Sequence, residues 1–169
     1  MLFCEAKHKE HVRFLLLGMK RGIVAVLHNL RSRENVGSIF RTADGAGVSK
    51  LYLCGTTPCP PHEKISKTAL GAEDSVAWEY KKQTWKVIEQ LKEEGYEIVA
   101  LEKTKNAENI FSFKTSNRVA LVVGNEVDGI SSSILKRCKK VMAIPMYGRK
   151  ESLNVSVAFG IATYCLRKA

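Results

Sequence analysis

The chain has 169 residues, a length that suits one domain with a substantial core and is short for two. Its 27 Lys and Arg outnumber its 17 Asp and Glu, and the resulting net charge of +10 at pH 7 favours a polyanionic partner. The five cysteines are an odd number without a CxxC pair, which argues against a disulfide framework and against a zinc site.

Residues 1–20 form a basic segment whose apolar residues follow no sustained period. Its apolar run, Phe14 to Leu17, is too short for a signal-peptide core, and no later segment approaches transmembrane length. We therefore predict a flexible leader over 1–20, one domain over 21–169, and a cytoplasmic protein without a membrane partner. Because regular patterning begins just after a second methionine, Met19, we expect residues 1–18 to be an appendage or the product of a misassigned upstream start.

Continuous apolar runs predict the strands of a parallel sheet. The first, Ile23 to Leu27, is rich in β-branched residues, as expected for a strand that is buried on both faces. Apolar or alternating runs predict further strands at 50–54, 76–80, 96–101, 119–123 and 140–144. Helical spacing of apolar residues predicts helices from Asn35, at 62–70, at 84–94, at 130–139 and from Asn154. Such repeated strand and helix units indicate the α/β class.

The first helix carries residues that suit a ligand site. Asn35 is a good N-cap, Arg41 projects nearly opposite the apolar face, and Gly37 leaves space for a group to approach the guanidinium. A solvated surface arginine is the ordinary interpretation of Arg41. The ligand interpretation gains weight because these residues follow the end of a strand, where open α/β sheets bind their ligands.

Two further helices have mixed surfaces. Lys64 and Lys67, three residues apart, form an edge that suits phosphate contact, although a solvated face would look the same. In the helix at 84–94, Trp85, Ile88 and Leu91 are predicted to point inward.

The strand at 119–123 is followed at once by Gly124-Asn125-Glu126-Val127-Asp128-Gly129. Two glycines around polar residues suit a tight turn in which the backbone and a carboxylate face a ligand. A plain turn, with Glu126 as a helix-start carboxylate, is the alternative.

The C-terminal helix is apolar on two sides. Val155, Ala158, Phe159, Ala162 and Leu166 share one face, and Val157, Ile161 and Tyr164 lie opposite. This pattern fits a helix between the core and a partner subunit, and it fits the central helix of a monomer equally well. The loop before it, 145–152, and the capping types Ser152 and Asn154 leave N–H donors for a ligand.

Several familiar motifs are absent from the sequence. It contains no GxGxxG after the first strand, no GxxxxGK[ST] and no HExxH, which disfavours a dinucleotide dehydrogenase, an NTPase and a zinc hydrolase. None of the four histidines stands in a familiar triad motif, and each is expected to be structural or solvated rather than catalytic. No metal site is predicted.

Three blocks, in order and in their relation to the strands, resemble the SpoU (TrmH-like) branch of the SPOUT RNA methyltransferases. They are NVGSIFRTADGAG at 35–47, LVVGNEVDGI at 121–130 and IPMYGRKESLNVSVAFGIATY at 144–164. The resemblance implies a parallel sheet with a C-terminal deep trefoil knot, S-adenosylmethionine as cofactor, and methyl transfer to a ribose 2′-hydroxyl of tRNA or rRNA. It also implies a homodimer packed through the C-terminal helix and knot.

The resemblance also implies roles for particular residues. Cofactor contacts fall on Gly124, Asn125, Ile144, Met146, Ser152 and Leu153. The catalytic cluster comprises Arg41, Asn35, Glu126, Ser152 and Asn154. A guanidinium normally stays protonated, so an electrostatic and positioning role suits Arg41 better than that of a general base.

Larger relatives carry an additional RNA-binding domain or terminal extensions, whereas this chain is expected to hold only the catalytic unit and the leader. RNA contacts are then expected from the dimer surface, with Arg31, Arg33, Lys64, Lys67, Arg149 and Lys150 as candidates. Two alternatives remain open: a non-catalytic knotted RNA-binding or assembly protein, and a SPOUT base methyltransferase. Small members of the family favour tRNA by analogy.

Overall fold

The computed structural model describes residues 22–114 and 116–168, and the predicted leader at 1–20 lies outside them. The strands are β1 (Gly22–His28), β2 (Lys50–Cys54), β3 (Trp78–Lys81), β4 (Glu97–Leu101), β5 (Glu108–Asn109), β6 (Arg118–Val123) and β7 (Lys140–Ala143). The α-helices are α1 (Arg33–Ala46), α2 (Glu63–Ala69), α3 (Ala72–Ser75), α4 (Thr84–Glu93), α5 (Ser132–Leu135) and α6 (Val155–Lys168). A single 3₁₀ turn covers Ile110–Ser112 within the described part of the chain.

The seven strands form one sheet in the order β3-β2-β1-β6-β4-β7-β5, and every pairing is parallel. The predicted α/β class with a parallel sheet is therefore confirmed. Strand β6 lies between β1 and β4, and β7 lies between β4 and β5, although β4 and β5 precede both in the chain. Because the strands are parallel, their carboxyl ends and the loops that follow them share one edge of the sheet.

Helices cover both faces of the sheet. On one face, α1 and α6 pack on alternate residues of β1, with Ile23, Leu27, Phe40, Phe159 and Leu166 all almost fully buried. On the other face, Val24 and Val26 of β1 pack with Val87, Ile88 and Leu91 of α4. Burial on both faces explains why β1 reads as a continuous apolar run rather than as an alternating one.

Several predicted boundaries were wrong. The N-cap of α1 is Ser32, whose hydroxyl accepts a hydrogen bond from the backbone N–H of Asn35 at 3.1 Å, so Asn35 lies inside the helix. Strand β3 begins two residues after its predicted start, and α5 is much shorter than the predicted 130–139. Strand β5 lies where the sequence predicts no strand. Boundaries differ because caps and short pairings depend on contacts that are distant in sequence.

Trp85 was also predicted wrongly as an inward residue, since its side chain is 43% exposed. The inward position at the start of α4 belongs to Thr84, whose hydroxyl bonds Nδ1 of buried His28 at 2.7 Å. A buried imidazole needs a polar partner, and this requirement turns Thr84 rather than Trp85 towards the sheet.

Gly37 has a different role from the predicted one. It is buried where α1 crosses α2, and a Cβ atom at this position would collide with the Thr68 hydroxyl and the Ile65 carbonyl. Its missing side chain therefore lets two helices approach closely and does not open a path to Arg41.

We expect Gly37→Ala to lower the free energy of unfolding by about 1–3 kcal/mol, because the added methyl group must push α2 away from α1. Urea denaturation would measure the change. Gly45→Ala in the same helix is the matched control, since the nearest atom to its new Cβ is the Tyr164 hydroxyl at an ordinary 3.6 Å. Equal denaturation midpoints for Gly37→Ala and the unaltered protein would contradict this packing.

The C-terminal helix α6 has one buried apolar face, and two of the three apolar residues predicted on the opposite side are exposed, whereas the third, Ile161, packs partly against the core. Phe159, Ala162 and Leu166 are buried, whereas Val157 is 52% and Tyr164 is 56% exposed. Near its end, the Arg167 guanidinium donates from Nε to the Ala46 carbonyl at 2.8 Å and from a second nitrogen to the Gly47 carbonyl. These bonds fasten α6 to the end of α1 and leave the outer face uncovered within the described chain.

Candidate functional site

A pocket of about 770 Å³ opens at the carboxyl edge of the sheet. Its walls are the loops that follow β4, β6 and β7, together with the first residues of α6 and the segment that leads into α1. This volume lies within the range of sites for small molecules and cofactors. All six residues predicted to contact a cofactor line it: Gly124, Asn125, Ile144, Met146, Ser152 and Leu153.

The loop after β6 is folded tightly against itself. Asn125 and Gly129 exchange backbone hydrogen bonds of 3.1 and 3.0 Å, and Gly129 has a φ of 65°. A Cβ atom on Gly124 would lie 2.6 Å from both the Gly129 carbonyl oxygen and Cγ1 of Ile130. Glycine is required at 124 by this close approach, and it keeps the backbone bare on the wall of the pocket.

Asn125 holds the shape of this loop. Its Oδ1 accepts hydrogen bonds from the backbone N–H of Val127 at 2.8 Å and of Asp128 at 3.0 Å. Its Nδ2 donates to the carbonyl of Asn29 at 2.7 Å, which ties the loop to the end of β1. The side chain is thus used within the protein, and it borders the pocket as part of the turn.

Glu126 connects the same loop to the start of α1. Its carboxylate accepts hydrogen bonds from the backbone N–H groups of Arg31 at 2.9 Å and Ser32 at 3.1 Å. It also accepts a bond from Nδ2 of Asn35 at 3.0 Å. A helix-start carboxylate was the alternative interpretation, and Glu126 does occupy that position, but at a helix that precedes it by more than 90 residues.

Asn35 also forms a hydrogen bond with the residue that precedes the C-terminal helix α6. Its Oδ1 accepts a hydrogen bond from Nδ2 of Asn154 at 3.0 Å. Oδ1 of Asn154 in turn accepts from the backbone N–H and the hydroxyl of Ser156, at 2.9 and 2.7 Å, and so caps α6. Glu126, Asn35 and Asn154 therefore form one hydrogen-bonded row at the mouth of the pocket, which Ser152 also lines.

The environment of Glu126 favours its charged form. Burial opposes ionisation, but the hydrogen bonds from Asn35, Ser32 and Arg31 outweigh that effect and hold the pKa of the carboxyl below its ordinary value. A depressed pKa adds stability that is present above the unfolded-state pKa, near 4.3, and that is lost as the pH falls through the folded-state value.

We expect Glu126→Gln to lower the free energy of unfolding by about 0.5–1 kcal/mol at pH 6, a modest loss because solvent screens this exposed carboxylate. The difference from the unaltered protein should shrink as the pH falls below about 4.5, where Glu126 itself takes up a proton. Thermal unfolding between pH 3 and pH 7 would measure it. Glu93→Gln, an exposed carboxylate at the end of α4, is the control and should not reproduce this pH dependence.

The structure does not bring Arg41 to the pocket of its own chain. Six residues separate it from Asn35, which in an α-helix means about 9 Å along the axis and about 120° around it. Arg41 is exposed and lines a separate pocket of about 400 Å³ with Asp44, Ala69 and the Leu70-Gly71 turn. Of the predicted catalytic cluster, Asn35, Glu126, Ser152 and Asn154 are together and Arg41 is apart.

Several acidic residues that the sequence analysis did not single out also line the pocket. Glu102, which follows β4, accepts hydrogen bonds from the backbone N–H groups of Ile130 at 2.8 Å and Lys103 at 3.0 Å. Asp128 and Glu151 are also on the walls. The position of Glu102 directly after a predicted strand was the available signal. Among the residues that the structure describes, four carboxylates and two cationic side chains line the pocket, an acidic balance in a strongly basic chain.

The six basic residues proposed to contact a polyanion are all exposed. Arg31 lines the pocket, and Arg33 begins α1 beside it. Lys64 and Lys67 lie on α2, where Nζ of Lys64 is 3.5 Å from a carboxylate oxygen of Glu34. Arg149 and Lys150 belong to the loop between β7 and α6, so most of these charges surround the carboxyl edge of the sheet.

Other kinds of site find little support among residues 22–114 and 116–168. These residues contain no group of three or more His, Cys, Asp or Glu that could hold a metal ion. The four cysteines in this range are free thiols, and burial raises the pKa of Cys54 to about 12 and of Cys138 to about 11. No helix described is both long and apolar enough for a membrane span, and the cytoplasmic location stays a prediction.

Comparisons with known proteins agree on one family. The model of the SpoU rRNA Methylase family matches residues 22–164. A tRNA (guanosine(18)-2′-O)-methyltransferase of Aquifex aeolicus is 30% identical over 164 residues, which cover 94% of this chain and 74% of that protein.

Two solved structures support the same assignment of the fold. The A. aeolicus TrmH/SpoU tRNA modifying enzyme superimposes with a TM-score of 0.81 at 31% identity, covering 97% of this chain and 82% of that one. An AdoMet-bound rRNA methyltransferase from Sinorhizobium meliloti gives a TM-score of 0.82 at 27% identity over 87% of this chain. The match spans only 56% of the Sinorhizobium chain.

Proposed function

The chain belongs to the SpoU rRNA methylase family, and we propose that it transfers the methyl group of S-adenosylmethionine to a ribose 2′-hydroxyl of RNA. The observation that carries this proposal is the row formed by Glu126, Asn35 and Asn154 at the mouth of a cofactor-sized pocket. These three residues come from three parts of the chain, and hydrogen bonds hold each side chain in place. Such preorganisation is typical of a site that must orient a reacting group.

The pocket has the chemistry that S-adenosylmethionine requires. Ile144, Met146 and Leu153 supply apolar walls for an adenine ring and a thioether-like chain, and the bare backbone at Gly124 allows close approach. The cofactor carries a positive sulfonium and a positive ammonium group, which suit a pocket lined by Glu102, Asp128, Glu151 and ionised Glu126.

The residues at the mouth would orient the substrate. When bound, S-adenosylmethionine supplies a methyl group that is already activated, so the protein has mainly to position a hydroxyl. Glu126 fixes the Asn35 amide, which in turn fixes Asn154, and these amides with the Ser152 hydroxyl can bind the ribose. A guanidinium would bind the adjacent phosphate or stabilise negative charge that develops on the ribose oxygen, and Arg41 is the residue proposed for this role.

We propose that Arg41 reaches the pocket from a second copy of the chain. Within one chain, Arg41 lines the smaller pocket, which lies on the other side of α1 from the candidate cofactor pocket. The exposed face of α6, with Val157 and Tyr164, is suited to pack against a partner. The helices α1 and α6 are packed together, with Gly160 near Thr42, so an α6-mediated dimer would also bring the α1 helices close to the interface. This arrangement makes the homodimer a requirement for catalysis.

The C-terminal knot that the family resemblance implies also remains a proposal. Its support is the strand order, in which β6 and β7 are each inserted between strands that precede them in the chain. The loops after these strands are the ones that form most of the pocket, so a knot would hold the cofactor site rigid.

RNA is proposed to contact the basic residues around the carboxyl edge. Arg31→Ala combined with Arg33→Ala should weaken RNA binding and reduce the magnitude of the slope of log affinity against log salt by about 1.4–1.8. Each phosphate that the protein no longer contacts keeps its counterions, so fewer counterions are released on binding. Filter binding between 50 and 300 mM salt would measure the slope. Lys136→Ala with Lys139→Ala, exposed near the amino ends of the strands, is the control and should leave it unchanged.

The test of the function is transfer of a labelled methyl group from S-adenosylmethionine to RNA that lacks its modifications, followed by digestion to nucleosides. Label in a 2′-O-methyl nucleoside is the expected result, and a 2′-deoxy substitution at the target should abolish it. Label in a base would replace the proposal by base methylation. A protein that binds both cofactor and RNA but transfers nothing would favour a non-catalytic assembly role. Comparing tRNA with rRNA fractions would identify the substrate, for which tRNA is the first candidate.

A further inference from the structure

Two exposed aromatic residues lie at the end of β3 and the start of α4. Tyr80 pairs with Leu53 and faces the side of the sheet that α1 and α6 cover, whereas Trp85 belongs to α4, which covers the other side. Tyr80 is 48% and Trp85 is 43% exposed, although aromatic residues of this size are usually well buried. Tyr80 is held in place by a hydrogen bond of 3.1 Å from its hydroxyl to the carbonyl of Gly55. Trp85 lies in the first turn of α4, where Thr84 already occupies the inward position. Neither ring is needed to fill the core.

Lysines alternate with these aromatic residues along the sequence. Lys82 and Lys86 are exposed, and neither has an ion-pair partner in the parts of the chain that the structure describes. Nζ of Lys86 lies 5.5 Å from the centre of the Trp85 ring. The neighbouring Lys81 is neutralised by Glu79, and the first turn of α4 contains no acidic residue. The surface around Trp85 is therefore both aromatic and positively charged.

This surface lies on the same edge of the sheet as the pocket. The strand order β3-β2-β1-β6 places the end of β3 three strand spacings, or about 14 Å, from the end of β6. Arg31 and Arg33, which follow β1, lie between the two. About four stacked nucleotides, each rising 3.4 Å, would span this distance along a continuous positive path.

We propose that Trp85, with Lys82 and Lys86, forms a stacking platform for an unpaired nucleotide of the substrate RNA, a few nucleotides from the residue in the pocket. Aromatic faces bind exposed bases of any sequence, and flanking lysines bind the backbone phosphates. The platform rests on the proposed RNA methylation and adds to it a preference for unpaired over fully paired RNA. Charge complementarity identifies the occupant as a nucleic acid rather than an apolar peptide.

The test measures binding of a labelled single-stranded 12-nucleotide RNA of mixed sequence, and of its duplex, to the full chain without cofactor. The single strand should bind more tightly than the duplex and quench the fluorescence of Trp85. Trp85→Ala should weaken single-strand binding by about 5- to 150-fold, the loss of one stacked base, and Trp85→Phe should restore part of it. Lys82→Ala with Lys86→Ala should reduce the salt slope by about 1.4.

Two variants serve as controls. Phe111→Ala removes a more exposed ring, 63% exposed, next to the edge strand β5 on the opposite side of the sheet, and Lys92→Ala removes a lysine from the far end of α4. Both should leave RNA affinity unchanged. Equal affinity of Trp85→Ala and the unaltered chain would overturn the platform, as would dissociation of a dimer by Trp85→Ala, which would assign the surface to a second copy.

The binding assay involves no methyl transfer, so the two proposals can fail separately. Transfer that proceeds normally while RNA binding is independent of Trp85 overturns the platform alone. RNA binding that depends on Trp85, in a protein that transfers no methyl group, overturns the proposed reaction alone.

Discussion

Arg41→Ala is expected to lower methyl transfer to RNA by about 10²- to 10³-fold, the usual loss when one preorganised donor to developing negative charge is removed. The effect should fall on the rate at saturating RNA and cofactor. Binding of S-adenosylmethionine should be unchanged, because Arg41 does not line the pocket of its own chain. Arg41→Lys should recover little activity, since an ammonium group lacks the planar fork of donors that binds a phosphate.

Mixed dimers would show which chain supplies Arg41. A dimer purified through two different tags, with Arg41→Ala in one chain and Asn154→Ala in the other, has one intact pocket, and the chain opposite that pocket carries the intact Arg41. If Arg41 acts across the interface, such dimers should retain about half the activity of the unaltered protein, by the symmetry of a two-fold interface.

If Arg41 instead acts on its own pocket, both sites of the mixed dimer are defective. Activity at the level of the two single variants would then contradict transfer of Arg41 between subunits. The experiment does not depend on the identity of the RNA, provided that the unaltered enzyme methylates it.

Val157→Glu is expected to weaken the dimer by at least about 10³-fold and to abolish methyl transfer at micromolar protein concentration. Val157 is 52% exposed on the outer face of α6, and a two-fold interface would bury two new carboxylates, each costing several kcal/mol. The monomer should still fold, because an acidic residue in the first turn of a helix is favourable.

Analytical ultracentrifugation and cofactor binding would separate the two effects. The monomer should retain S-adenosylmethionine binding, since one chain forms the whole pocket, and lose activity because no second Arg41 is present. Phe111→Glu, which also places a charge on an exposed apolar position, is the control and should remain dimeric. If the Val157→Glu protein stays dimeric, the dimer interface does not lie on this face of α6.

Periodicity in the sequence predicted the elements well where burial is uniform. Strand β1 is apolar throughout because helices cover both faces of the sheet, and such a run has few alternative structures. Predictions failed where either of two neighbouring residues could face the core while the other faces solvent. Trp85 and Thr84 are neighbours at the start of α4, and only the buried His28 ring decides that Thr84 turns inward.

The candidate site could be predicted as a set of residues but not as an arrangement. All of the predicted cofactor residues line one pocket because they follow parallel strands, whose carboxyl ends meet at one edge. Glu102 was missed because its position directly after a predicted strand was the only signal in the sequence, and its contact with Ile130 spans 28 residues. Gly37 was misinterpreted because the space that it vacates is filled by α2.

The sequence by itself determined the fold class and the family and predicted some of the residues that line the pocket, because apolar periodicity and local motifs depend on neighbours along the chain. Only the tertiary structure decided how those residues meet. Asn35 bonds Glu126 across 91 residues and Asn154 across 119, and these distances are closed by the sheet order. The phase of α1 then turns Arg41 away from Asn35, since positions six residues apart in a helix lie about 120° apart around its axis.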